Sequence, residues 1–117
     1  MDYRDLVAWQ RAMTLTELVY HSTSQFPAEE RYGLTSQMRR AAAAIPSNIA
    51  EGQGRRSSDA DFARFLSIAL GSLCELETQI ELTIRLGFVS REAMATVIGE
   101  AGEVGRLLNG LIRSKQH

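Results

Sequence analysis

The sequence predicts an all-α protein, an antiparallel up-down four-helix bundle with a kink at Pro46. Two observations point there. Four stretches repeat apolar residues at helical spacing with no credible strand among them, and the residues that break helices fall into three short connections. The 117 residues fit one domain spanning 1–117, and four long helices supply a core large enough to fold alone.

The first helix is expected from about Asp5 to about Ser22. Leu6, Trp9, Met13 and Tyr20 share one face, with Val7 and Val19 widening it, and Asp2 and Asp5 suit the positive end of the helix dipole. Trp9 reads as a core residue rather than a base-stacking one. Phe26-Pro27 stops this helix, because the residue before proline is pushed out of the α region. PAEERYG forms a short turn, and Gly33 is the break before the second helix.

The second helix begins at Thr35 or a neighbour and runs to about Gly52. Leu34, Met38, Ala41, Ile45, Ile49 and Gly52 form its stripe, with Asn48 at the edge and Glu51 on the flank. Pro46 has no N–H for the Ala42 carbonyl, which frees an acceptor and predicts the kink; the Asn48 amide is a candidate to satisfy such freed groups. The loop QGRRSS follows. It lacks the lysine-serine ending of a P-loop and no strand precedes it, so a phosphate-binding P-loop is rejected.

Ser58 and Asp61 have the spacing of a capping box at the start of the third helix, which runs to about Leu86 and ends at Gly87. Phe62, Phe65, Leu66, Ala69, Leu73, Leu76, Ile80 and Ile84 make one stripe. Ile68, Leu82 and Leu86 make a second, interspersed with Ser72, Glu75 and Gln79. A helix apolar on two sides is buried on two sides, so the bundle is expected to associate with itself. Ser90 is the expected N-cap of the fourth helix, whose inner face is read as Met94, Val97, Ile98, Ala101 and Leu108. Gly99, Gly102 and Gly105 each cost about 1 kcal/mol relative to alanine; they either admit a close helix approach or leave this helix soft.

Composition excludes several function classes. No run nears 18 apolar residues, so no membrane span is expected, and the N-terminus lacks the order of a secretory signal. The single cysteine, Cys74, rules out an internal disulfide and fits a reducing cytoplasm. A di-metal bundle needs Glu-x-x-His ligands, which the chain lacks, so no metal or cofactor is expected. Cys74 is expected to be a buried, inert thiol, and nothing favours a metal-free ribonuclease built on Glu51 or Glu75. No catalytic residue is assigned.

The charge is unevenly spread despite a net value of −1. Six arginines face three acids between Arg31 and Arg64, while Gly71 to Glu81 holds three glutamates and no base. Arg39, Arg40, Arg55, Arg56 and Arg64 are the candidate nucleic-acid contacts, since a guanidinium binds phosphate bidentately and keeps its charge. The same arginines can instead pair with Glu51, Glu75, Glu77 or Glu81. Asn48, Glu51, Ser72 and Glu75 form a candidate structural polar network, in which Glu75 accepts from Arg39 or Arg40.

Two segments, FPAEERYGLTSQMRRAAAAIPSNIAEG and FLSIALGSLCELETQIELTIRLGF, resemble the four-helix-bundle family of 23S ribosomal RNA intervening-sequence proteins. Accessory proteins of diversity-generating retroelements are similar to that family. The likeness runs from Asp5-Leu6 and Trp9 to Gly87-Phe88, and departs where Ala43-Ala44 replace a valine-serine pair before Ile45-Pro46. It implies a ring-like homo-oligomer, the pentamer being the characteristic assembly, and a nucleic-acid role with RNA or a nucleic-acid-bound protein as partner. It implies no established activity. Two functions are therefore weighed: a non-enzymatic RNA-binding accessory working through its arginines, and a protein-interaction scaffold with no nucleic-acid role.

Overall fold

The structure, a computed structural model, describes residues 2–55 and 57–116. Four helices carry it: α1 (Val7–Thr23), α2 (Leu34–Gly54), α3 (Asp59–Arg85) and α4 (Ala95–Lys115), with 3-10 turns at Tyr3–Asp5 and Ala28–Glu30. The described residues contain no strand. Each helix packs on two neighbours, α1 on α2 and α4, α3 on α2 and α4, and among the described residues the Cα atoms of the diagonal pairs stay more than 8 Å apart. Antiparallel order follows from the side chains that meet. Thr16 in mid-α1 reaches Ala42, while Thr23 at the end of α1 reaches Arg39 nearer the start of α2.

The core joins Leu15 and Val19 of α1, Met38, Ile45 and Ile49 of α2, Phe62, Leu66 and Leu73 of α3, and Val97, Val104 and Leu108 of α4. The face of α1 differs from the one expected. Ala8, Ala12, Leu15, Val19 and Thr23 are buried, while Met13, Tyr20 and Val7 are exposed and Leu6 and Trp9 pack at the core's edge. The small alanines share the inner face with Leu15 and Val19, and Val7, Met13 and Tyr20 lie outside it. At the core's edge the Tyr3 and Trp9 rings meet at a tilt of 60°, with centroids 5.4 Å apart.

Helix α2 continues through Pro46, which is buried. The carbonyl that proline leaves without its helical donor, Ala42 O, lies 3.1 Å from the Thr16 hydroxyl, which also lies 2.8 Å from Ala12 O. Asn48 does not perform that task. Its Nδ2 donates to Ala44 O at 2.8 Å, one turn back on its own helix.

The ends of α3 show two different devices. Ser58 Oγ accepts from the Asp61 N–H at 3.0 Å, as the capping box requires, but the Asp61 carboxylate turns to Arg64. At the other end Gly87 has φ +80°, its N–H donates to Ile84 O at 3.1 Å, and the Phe88 N–H donates to Thr83 O at 3.0 Å. This is a Schellman motif, which needs a left-handed residue at that position.

Helix α4 starts later than expected. Ser90 does cap a turn, its Oγ accepting from the Ala93 N–H at 3.1 Å, but the regular helix begins at Ala95 with Met94 as N-cap. Ile98, placed on the inner face by its spacing, is 37% exposed, and Val104 takes a core position instead. Cys74 is exposed rather than buried, because Leu73 and Leu76 take the core side of that turn of α3. No helix among the described residues is long and apolar enough to cross a membrane.

Candidate functional site

The five arginines singled out by the sequence have different fates. Arg39, half-buried on α2, is engaged within the chain. Its Nε donates to Thr23 Oγ1 at 2.9 Å and its Nη2 to Tyr20 O at 3.2 Å, while the guanidinium lies 4.6 Å from the centre of the Tyr20 ring. It thus adds a charged donor to a carbonyl at the C-terminus of α1 that already accepts from the Ser24 N–H, and a cation there complements the helix dipole. Arg40, the next residue, is exposed and makes no side-chain bond among the described residues.

Arg55 and Arg64 lie at the other end of the bundle. Arg55 Nη1 meets Glu51 Oε1 at 2.6 Å, and Arg64 Nη2 meets Asp61 Oδ1 at 3.0 Å with its guanidinium over the Phe65 ring. Their side chains are 72% and 60% exposed, so these pairs of nearby residues are weak anchors in water. Arg56 lies outside the described residues.

The four residues of the expected polar network are not joined to one another. Asn48 bonds Ala44 O, Glu51 bonds Arg55, and Glu75 Oε2 accepts from Gln79 Nε2 at 3.2 Å. Ser72 is half-buried with no side-chain bond among the described residues, so Glu75 receives neither Arg39 nor Arg40. Gln79 is only 6% exposed, and its Oε1 is buried without a partner. A buried carbonyl oxygen left unpaired costs free energy. Beside it the second stripe of α3 is open to solvent, with Ile68, Leu82 and Leu86 exposed by 45%, 43% and 54%.

Two further ion pairs join residues that no local pattern links. Arg11 of α1 grips Glu100 of α4 with two bonds of 2.5 and 3.0 Å. The bond from Arg11 holds the Glu100 carboxyl below its ordinary range, and the same bond raises Arg11. Glu81 is likewise lowered by Arg91 first and Arg85 second; Arg91 Nη2 lies 2.8 Å from Glu81 Oε2. The partners are 89 and 10 residues apart, so no local spacing signals either pair. No group of three or more metal-ligating side chains occurs among the described residues.

Comparison with known proteins places the chain. A family model described as 23S rRNA-intervening sequence protein matches residues 4–110, and the chain belongs to that family. No curated protein matches it. Among solved structures it is similar to a protein of unknown function from the S23 ribosomal protein family of Bacteroides thetaiotaomicron. The two are 26% identical with a TM-score of 0.83, over 92% of this chain and 96% of the other.

Proposed function

We propose that this family member is a non-enzymatic cytoplasmic accessory protein that assembles into a ring-like homo-oligomer, a pentamer, and holds RNA through arginines of α2 and α3. The observation that carries the reading is Arg40, an exposed guanidinium with no partner among the described residues. Arg55 follows it 15 positions along α2, which sets the two about 22 Å apart and about 60° around the helix. Arg64 precedes Phe65, which packs against Gly52, so it joins Arg55 at the same end. A monomer of net charge −1 attracts RNA weakly; repetition around a ring would multiply each arginine without changing that balance.

The exposed Ile68, Leu82 and Leu86 support self-association. An apolar face left open on one chain is completed by a partner that covers it. The same face supports the second reading, a scaffold that binds another protein and no nucleic acid. A bend of α2 at Pro46 belongs to the proposal as well. The Ala42 carbonyl, met by Thr16 from another helix rather than from its own, is what such a bend leaves behind.

Sedimentation of the protein with and without structured RNA, at low and moderate salt, tests this. A ring whose RNA affinity falls steeply with salt, and falls further in Arg40→Gln with Arg55→Gln, is the expected result. A ring indifferent to RNA selects the scaffold, and a monomer overturns the assembly common to both.

A further inference from the structure

Between the end of α1 and the start of α2 the chain encloses a pocket of about 270 Å³ whose walls include Thr23, Phe26, Pro27, Arg31, Thr35 and Arg39. No acidic side chain lines it. Two arginines, Arg31 and Arg39, line it. Arg39 is fixed by Thr23 and the Tyr20 carbonyl, and among the described residues its Nη1 has no partner and the exposed Arg31 makes no side-chain bond. Thr35 is only 7% exposed, yet its hydroxyl has no hydrogen-bond partner among the described residues. Among the described residues only Gln79 Oε1 is both sealed from solvent and unbonded, so the Thr35 oxygen is reached from the pocket. Here it lines a pocket that brings two cations to it.

The backbone contributes with both signs, since α1 ends at this pocket with its carbonyls and α2 begins there with its amides. Thr35 sits in the first turn of the 21-residue α2, whose N-cap, Gly33, offers no side-chain acceptor. The Glu30 carboxylate takes the Leu34 amide at 3.3 Å, outside the pocket wall, and the Thr35 and Ser36 amides have no acceptor among the described residues. Free amides at a helix start favour an anion.

From this convergence we infer that the α1–α2 pocket is a binding site for a phosphoryl group. A phosphate monoester has three terminal oxygens for the Arg31 and Arg39 forks and the Thr35 hydroxyl, and guanidinium donors suit it best. The volume lies below the roughly 300–1,000 Å³ of pockets that enclose whole small molecules, so the site fits the charged group while the rest of the ligand stays outside. The inference is independent of the RNA-binding proposal, which uses other arginines.

Inorganic phosphate is the probe. Titrated against chloride of equal ionic strength, it should raise the melting temperature in a saturable way, as a ligand of the folded state does. Arg31→Gln and Thr35→Val should each weaken apparent phosphate affinity about tenfold, the loss of one bond to a charged group. Arg113→Gln, an exposed arginine of α4, should leave the shift intact. Two RNAs of one sequence, with 5′-phosphate or 5′-hydroxyl ends, separate the sources. Preference for the phosphorylated end, lost in Arg31→Gln, identifies an RNA terminus; phosphate binding without that preference identifies a small phosphorylated molecule. The site is overturned if phosphate gives no saturable shift, or if the shift persists unchanged in Arg31→Gln. Because Arg31 is exposed and unpaired, its replacement tests the site even if Thr35→Val fails to fold.

Discussion

Helices α2 and α4 each run for 21 residues and each carry glycine inside. In α2, Gly52 is buried against α3, and a Cβ built there would stand 2.5 Å from Phe65 Cβ and 3.1 Å from Phe62 Cδ1. Nothing larger than hydrogen fits without moving a neighbouring backbone. In α4, a Cβ at Gly99 or Gly102 meets nothing within 4 Å, and one at Gly105 meets only the end of Leu73 at 3.3 Å. The same residue type is a steric requirement in one helix and an uncompensated loss of helix propensity in the other. The α2–α3 seam is closed by fit, whereas α4 is held by its apolar face and by the Arg11–Glu100 grip on α1.

The largest effect should come from Gly52→Ala. The methyl collides with a Cβ rather than with a flexible side-chain end, so the overpacking cost of about 1–3 kcal/mol outweighs the gain in helix propensity. Urea unfolding should show a loss of that size, and an unchanged midpoint would remove the contrast between the seams.

The opposite sign is expected on α4. Gly99→Ala with Gly102→Ala should stabilise by about 1 kcal/mol per site, since each adds propensity and meets no neighbour. The same unfolding measurement reads this out; a destabilised double variant would mean that the two glycines are needed for contacts beyond a single chain.

The smallest effect concerns how α4 is tied to α1. Glu100 has its folded-state carboxyl held below the ordinary 4.5. Its stabilising contribution is therefore fully present above that value and lost as pH falls through the lowered one, where the unfolded chain binds the extra proton. Glu100→Gln should lower stability at pH 7 and make the acid limb shallower below pH 4.5, without flattening it, because Glu81 and Asp2 are lowered too. Thermal melts from pH 7 to pH 3 check this, and an acid limb identical to the wild type would show that the pair contributes nothing to folding.

Much of the bundle was legible in the chain because its signals are local. Gly33, Ser58 and Gly87 mark helix ends through backbone conformation and one short bond, and Met38, Ile45 and Ile49 mark a core face through spacing alone. The candidate site was less legible. Adjacent arginines at 39 and 40 look alike in sequence, but they lie about 100° apart on α2, and only the path of α1 turns Arg39 into a structural tie while leaving Arg40 in solvent. Cys74 is exposed for a similar reason, since two apolar stripes on α3 cannot both face one core.

The sequence by itself determined the four helices, their order and most of their ends, because propensity, capping and periodicity act within a few residues. The tertiary structure alone decided which of several apolar faces is buried. It also paired Thr16 with Ala42 and Arg11 with Glu100, and set Arg31, Thr35 and Arg39 around one pocket. Those choices depend on where one helix passes another, and that geometry belongs to the packed bundle rather than to any one of its segments.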